Sequence, residues 1–211
     1  MSLIRNILMA GFLVISSVLM AETPPKEAVD AAKIGLDRYM GALPKNSLEE
    51  LEVFSKGKPL NIRIGDAYRV YSIDPTKLLG YKAGDSIDSM LMDSSLWMFM
   101  LSSGNDVKCV IEVVYRDNLW RAISIGKSGL AKNISDTKKK IGATEIRYAR
   151  VLQSNSDFII TPTNELVPLD SARMILKPKQ GTRGFDIDRY TLREVSKGLS
   201  PTVRENMGVE K

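Results

Sequence analysis

Histidine is absent from the 211-residue chain, and cysteine occurs once, at Cys109. Without histidine there is no Ser-His-Asp or Cys-His triad, no imidazole general base and no histidine-bearing zinc site. One cysteine closes no internal disulfide, so packing alone holds the fold. Aromatic residues are few, at 7%, whereas 44% hydrophobic residues are enough for an ordinary core. The 30 basic and 25 acidic residues leave a net charge of +5. Their interspersion lacks the concentrated basic patch that nucleic acid requires. No cofactor or metal signature is present.

The one long apolar run is at the start. Arg5 precedes Ile7–Met20, interrupted by Gly11, Ser16 and Ser17, and the run ends at Ala21 before Glu22-Thr23-Pro24-Pro25. This is the pattern of an export signal, cleaved after Ala21. A spanning helix needs about 20 apolar residues, and this run falls short. Leu19 stands where a small residue is usual three before the cut. No cysteine follows the run to carry a lipid. Removing residues 1–21 takes away Arg5, lowering the net charge from +5 to +4. The expectation is a periplasmic or secreted protein, touching membrane only through this segment if it is retained.

The expected organisation is a signal peptide at 1–21, one α+β domain at 22–180, and a C-terminal helix and tail at 181–211. In that domain N-terminal helices pack on an antiparallel meander sheet, with a further helix between sheet segments. Val29, Ala32, Leu36 and Tyr39/Met40 recur at helical spacing over Glu27–Met40. Ser47-Leu48-Glu49-Glu50 has capping-box form for a short second helix through Phe54. Period two then takes over at Ala67–Ile73. Leu96–Leu101 reads as a strand buried on both faces, followed by strands at Val107–Tyr115 and Leu119–Ile125. Short turns between these three predict an antiparallel meander. Alternation places Val107, Cys109, Ile111, Val113 and Tyr115 on one face. Ser128 is the expected cap of a helix reaching Ile141, closed by Gly142. Further strands are expected at Ile146–Leu152 and Phe158–Thr161, with a short extended piece at Glu165–Leu169. The Pro178–Gly184 stretch reads as a loop, Asp188–Gly198 as a last helix, and the chain after Pro201 as a frayed tail.

Several groups of residues invite a chemical reading. Gly126-Lys127-Ser128 stands at a strand-to-helix turn, but Arg121 occupies the position where a phosphate loop needs its first glycine. Asp85, Asp88 and Asp93 flank an apolar patch and form the candidate carboxylate site, suited to hydrolysis or a divalent cation. Their spacing matches no calcium loop, and aspartate is common in turns for local reasons. Ser124 with Lys127, or Ser128 with Lys132, can be drawn as serine–lysine pairs, without the elbow that presents a nucleophile. Cys109 lies among apolar residues and reads as an inert thiol. Asn133-Ile134-Ser135 matches the glycosylation acceptor, a short pattern of little weight.

Trp97, Phe99, Trp120 and Tyr71 gather with Tyr68, Tyr81 and Tyr115 in the sheet-forming middle. Aromatics in strands usually serve the core. On an uncovered face the same residues would form a ligand or partner surface, together with Asp85 and Asp88. The functional expectation is therefore an exported, non-enzymatic binding or accessory module. It engages an envelope or secreted protein through its sheet and takes no cofactor, metal or nucleic acid. Two alternatives are a hydrolase using Asp85, Asp88 or Asp93, and a carrier of a small apolar ligand between helix and sheet.

Overall fold

Helix α1 (Lys26–Ala42) opens the fold, started by Pro25, whose φ of −55° suits a helix entry. It buries Ala28 and Ala32 with Val29, Leu36, Tyr39 and Met40, the face expected from their spacing. Next come α2 (Lys45–Glu50), β1 (Phe54–Ser55) and β2 (Lys58–Pro59), the last two forming a two-stranded ribbon. The long strand β3 (Ile62–Ile73) leads through α3 (Pro75–Leu79) to β4 (Leu91–Ser103), β5 (Asp106–Arg116) and β6 (Leu119–Gly126). The remainder is α4 (Ser128–Ile141), β7 (Arg147–Val151), β8 (Ser156–Ile160), β9 (Leu166–Pro168), α5 (Asp170–Arg173) and α6 (Leu192–Met207). This is a computed structural model that describes residues 22–55, 58–177 and 187–209. The segments expected to be an export signal, at 1–21, and a loop, at 178–184, lie outside the described residues. No described helix is long and apolar enough to cross a membrane.

The fold is α+β, with a mostly antiparallel sheet of seven described strands in the order β6-β5-β4-β3-β7-β8-β9. The β4–β5–β6 meander forms as the short turns require. Asp117 and Asn118, at φ 54° and 60°, make the left-handed two-residue turn that matches strand twist. The parallel pair of β3 with β7 departs from the antiparallel expectation. Its cause is α4, which carries the chain away from β6 and delivers β7 beside β3 after a crossover.

Both faces of the sheet are covered. Tyr68, Val70, Met98, Met100 and Val110 meet Ala131 and Ile134 of α4 on one face. On the other, Trp97, Phe99, Leu101, Cys109, Ile111 and Val113 pack under α1. Farther along that same face, Ile73, Ala149, Val151, Phe158 and Ile160 pack with Leu78 of α3 and with Val195, Leu199 and Val203 of α6. Gly35 lets α1 close onto the edge strand, for a Cβ there would stand 2.2 Å from the Ala122 Cβ. Arg38, one turn on, donates to the Ala122 carbonyl at 2.9 Å.

Local expectations changed in five places. First, α2 begins at Lys45 after Pro44, so Ser47 lies inside the helix and no capping box forms. Second, α4 has Lys127 at its N-cap, at φ 57°, and Ser128 is its first residue with a buried hydroxyl that has no hydrogen-bond partner. Third, β3 starts at Ile62, ahead of Ala67, because pairing with β4 tolerates an irregularity between Ile64 and Ala67. Fourth, Val107 packs with the α4 side while Cys109 faces α1, since an irregularity between Leu101 and Ser102 breaks the alternation. Fifth, α6 runs on through Pro201 to Met207, where the chain after the proline was expected to fray. Burial of Leu199 and Val203 against the sheet offsets the one backbone bond that Pro201 removes. The capping box that does form is Thr191 with Glu194, at the start of α6.

Candidate functional site

An irregular stretch of β4 creates the site. Leu96 pairs with Val70 and Asp93 pairs with Tyr71, leaving Ser94 and Ser95 without partners across the strand. Ser95 takes a left-handed φ of 54°, and its amide donates to Asp93 Oδ1 at 2.9 Å. The Ser94 hydroxyl donates to the Val70 carbonyl. Bulges re-aim side chains beside functional sites. This one turns Asp93 toward Arg69, two pairing positions from where a regular ladder would leave it, opposite Ile73.

Arg69 is engaged from two sides. Its Nε and Nη2 donate to the two Asp93 oxygens, with Nε–Oδ1 at 3.0 Å, a two-pronged pair. Nη1 donates to Glu22 Oε2 at 2.8 Å, and the Tyr71 phenol donates to Glu22 Oε1. The hydrogen bond from Arg69 holds the Asp93 carboxyl below the usual carboxylate range. The partnership with Asp93, then Glu22, raises the guanidinium further above its already high value. Burial, reinforced by Glu22, pushes the Tyr71 phenol up to about 12. At neutral pH the Asp93 carboxyl is ionised, the Arg69 guanidinium charged and the Tyr71 phenol neutral.

Beside it opens a cleft of about 420 Å3 lined by Arg69, Asp93, Ser95, Trp97, Tyr115, Trp120 and, ahead of α1, Glu22, Thr23 and Pro25. Tyr115 and Trp120 face each other across the β5–β6 hairpin with ring centroids 5.1 Å apart. Tyr115 is 44% exposed, whereas Trp97 keeps 4%. The cleft therefore combines an aromatic wall with a fixed charge at one end.

The residues singled out in the sequence divide among several places. Trp97, Trp120 and Asp93 line this cleft, and Tyr71 reaches it through Glu22. Phe99 is 1% exposed and belongs to the core under α1. Asp88 pairs with Arg147, and Asp85 accepts from the Lys82 amide at 2.7 Å in a turn. The three aspartates thus have three separate partners, and among the described residues no group of three potential metal ligands occurs. Cys109 is buried, and burial pushes its thiol up to about 12. Between Ser124 and Lys127 stands Glu112, accepting from the serine at 2.6 Å and from the lysine. A further cavity of about 550 Å3 lies under α4, among Tyr68, Met100, Val107 and Ala143, away from both tryptophans.

Arg69, Glu22 and Tyr115 were missed as a group. Arg69 and Asp93 are separated by 24 residues, and Arg69 and Glu22 by 47. The only local signal was the Asp93-Ser94-Ser95 run, three residues prone to turn geometry inside an otherwise apolar strand. Compared with known protein families, with curated proteins and with solved structures, the chain matches none.

Proposed function

We propose that the protein is an exported, non-enzymatic binding module that engages an envelope or secreted protein through the β4–β6 end of its sheet. The observation that carries this reading is the β5–β6 hairpin. It lines the cleft with Tyr115 and Trp120 and leaves Leu119 and Ile123 exposed at 55% and 53%. Aromatic residues anchor protein interfaces because each buries much area with few rotors to freeze, and arginine because its planar fork donates several hydrogen bonds at once. Contact runs through side chains rather than an added strand. Arg38 already occupies the outward Ala122 carbonyl, and Ile123 is an extra residue opposite the Glu112–Val113 step. Both features blunt a sheet edge.

The test is a photo-crosslinking residue placed at Leu119 or Ile123 in cells, with Met174, 83% exposed in a different region, as the control. One stoichiometric protein crosslinked from the hairpin and absent from Met174 supports the module. No adduct from the hairpin, or the same adducts from both places, overturns it.

A further inference from the structure

The cleft has a neighbour that indicates what it recognises. Glu22–Pro25 forms a strap along it, with the Glu22 carboxylate on Arg69 and Tyr71 and with Thr23 and Pro25 on the lining. Pro25 has φ −55° and ψ 144°, the polyproline II region. Thr23 and Pro24 each precede a proline, which restricts both to extended conformations. Such a segment is already extended when free, so little entropy is lost on docking against aromatic rings. Arg69 is presented to match it. Asp93 holds two of its donors and fixes the plane of the fork, leaving Nη1 to meet an incoming carboxylate. The strap does not fill the site, since about 420 Å3 remains between it, the aromatic wall and Ser95. Thr23 and Pro25 are themselves exposed. A lightly held segment beside unfilled aromatic space is one that another segment can replace.

We propose that this cleft binds an acidic, proline-containing extended segment of the partner protein, and that the chain's own Glu22–Pro25 strap competes for the same place. The proposal rests on the reading of the protein as a partner-binding module and names the chemistry that module recognises. Arg69 and Tyr71 take the carboxylate, and Tyr115, Trp120 and the edge of Trp97 take the prolines. The strap acts as an intramolecular competitor, at an effective concentration in the millimolar range typical of short tethers.

The chain contains two tryptophans, and both line this cleft, so tryptophan emission reports on it selectively. The probe is the peptide acetyl-Glu-Thr-Pro-Pro-amide, titrated into the purified full chain and into the Glu22→Gln variant, which loosens the strap and leaves the cleft wall intact. Binding about tenfold tighter to Glu22→Gln than to the wild type is expected from removal of a millimolar competitor. Peptides with Gln for Glu, or Ala-Ala for Pro-Pro, should bind at least about tenfold more weakly, since each lacks one half of the match. Tyr115→Ala, at a half-exposed position, should lose the response with an unchanged far-ultraviolet spectrum. Equal affinity in wild type and Glu22→Gln overturns the competition. No emission change in either protein up to about 10 mM peptide, well above the competitor's effective concentration, overturns the ligand chemistry. Either failure is distinguishable from failure of the module itself, because crosslinking from Leu119 and Ile123 does not use the peptide.

Discussion

Two arginine–aspartate pairs occupy this sheet, and their surroundings give them opposite roles. Arg150 and Asp157 are direct cross-strand neighbours on β7 and β8, with Nε–Oδ1 at 2.6 Å. The Tyr148 hydroxyl donates to the same Asp157 oxygen, and the Ser171 hydroxyl donates to the other at 3.0 Å. The Asp157 side chain is 7% exposed, so every contact is internal and saturated. Arg69 and Asp93 meet only because β4 bulges, with side chains 34% and 41% exposed and a cleft alongside. The first pair completes the fold of its region. The second is a positioned charge at an open surface.

Four expected outcomes sharpen or break that contrast. Phe99→Ala should cost the most, about 4 kcal/mol, because it leaves a cavity in the core under α1, two residues along the strand from Trp97. A loss near zero in chemical denaturation would mean that this part of the sheet is loosely packed and the contrast is false. Asp157→Ala should cost about 3 kcal/mol, since Arg150 and Tyr148 lose a buried acceptor together. A midpoint shift as small as a surface pair gives would show that water replaces the carboxylate. Asp93→Ala should cost less than about 1 kcal/mol, as for an exposed ion pair, yet impair binding at the cleft. A large stability loss would make Arg69–Asp93 a structural pair after all.

The smallest effect is in acid. The Asp66 carboxyl is lowered by its hydrogen bond from Lys138, and Asp93 by that from Arg69, both from an ordinary value of 3.8. A carboxylate with a lowered folded value stabilises above its unfolded value and loses that contribution as pH falls through the folded one. The difference in urea midpoint between wild type and Asp93→Asn should therefore be present at pH 7 and shrink below pH 3.8. A difference that grows on acidification contradicts the assignment.

The periodic parts of the fold were legible in the sequence. Ala32 and Leu36 marked α1, Leu130 and Ile134 marked α4, and Leu96–Leu101 marked a strand with both faces buried. Turn chemistry at Asp117-Asn118 identified the hairpin. Local signals failed where a tertiary contact decided the outcome. Ser128 and Ser47 have the composition of caps, but neighbouring prolines and left-handed residues moved the helix starts. Pro201 reads as a stop until the apolar face of α6 finds the sheet. In the site, Trp97 and Trp120 were legible as aromatics near one another, whereas the division of Trp97 from Phe99 was not. Both alternate onto one face, and only the position of α1 and the strap decides that Trp97 borders open space and Phe99 does not.

The sequence by itself determined that α1 and α4 are helices, that a meander of three strands forms, and that the chain supplies no histidine and no internal disulfide. These follow from interactions within a few residues, or from the absence of an atom type. Tertiary structure alone decided that β7 enters parallel to β3, that α6 completes the core, and that Glu22, Arg69 and Asp93 meet beside Tyr115 and Trp120. Those outcomes depend on contacts between residues from 24 to 118 positions apart, which a crossover helix, a last helix and a bulge bring together and no local period encodes.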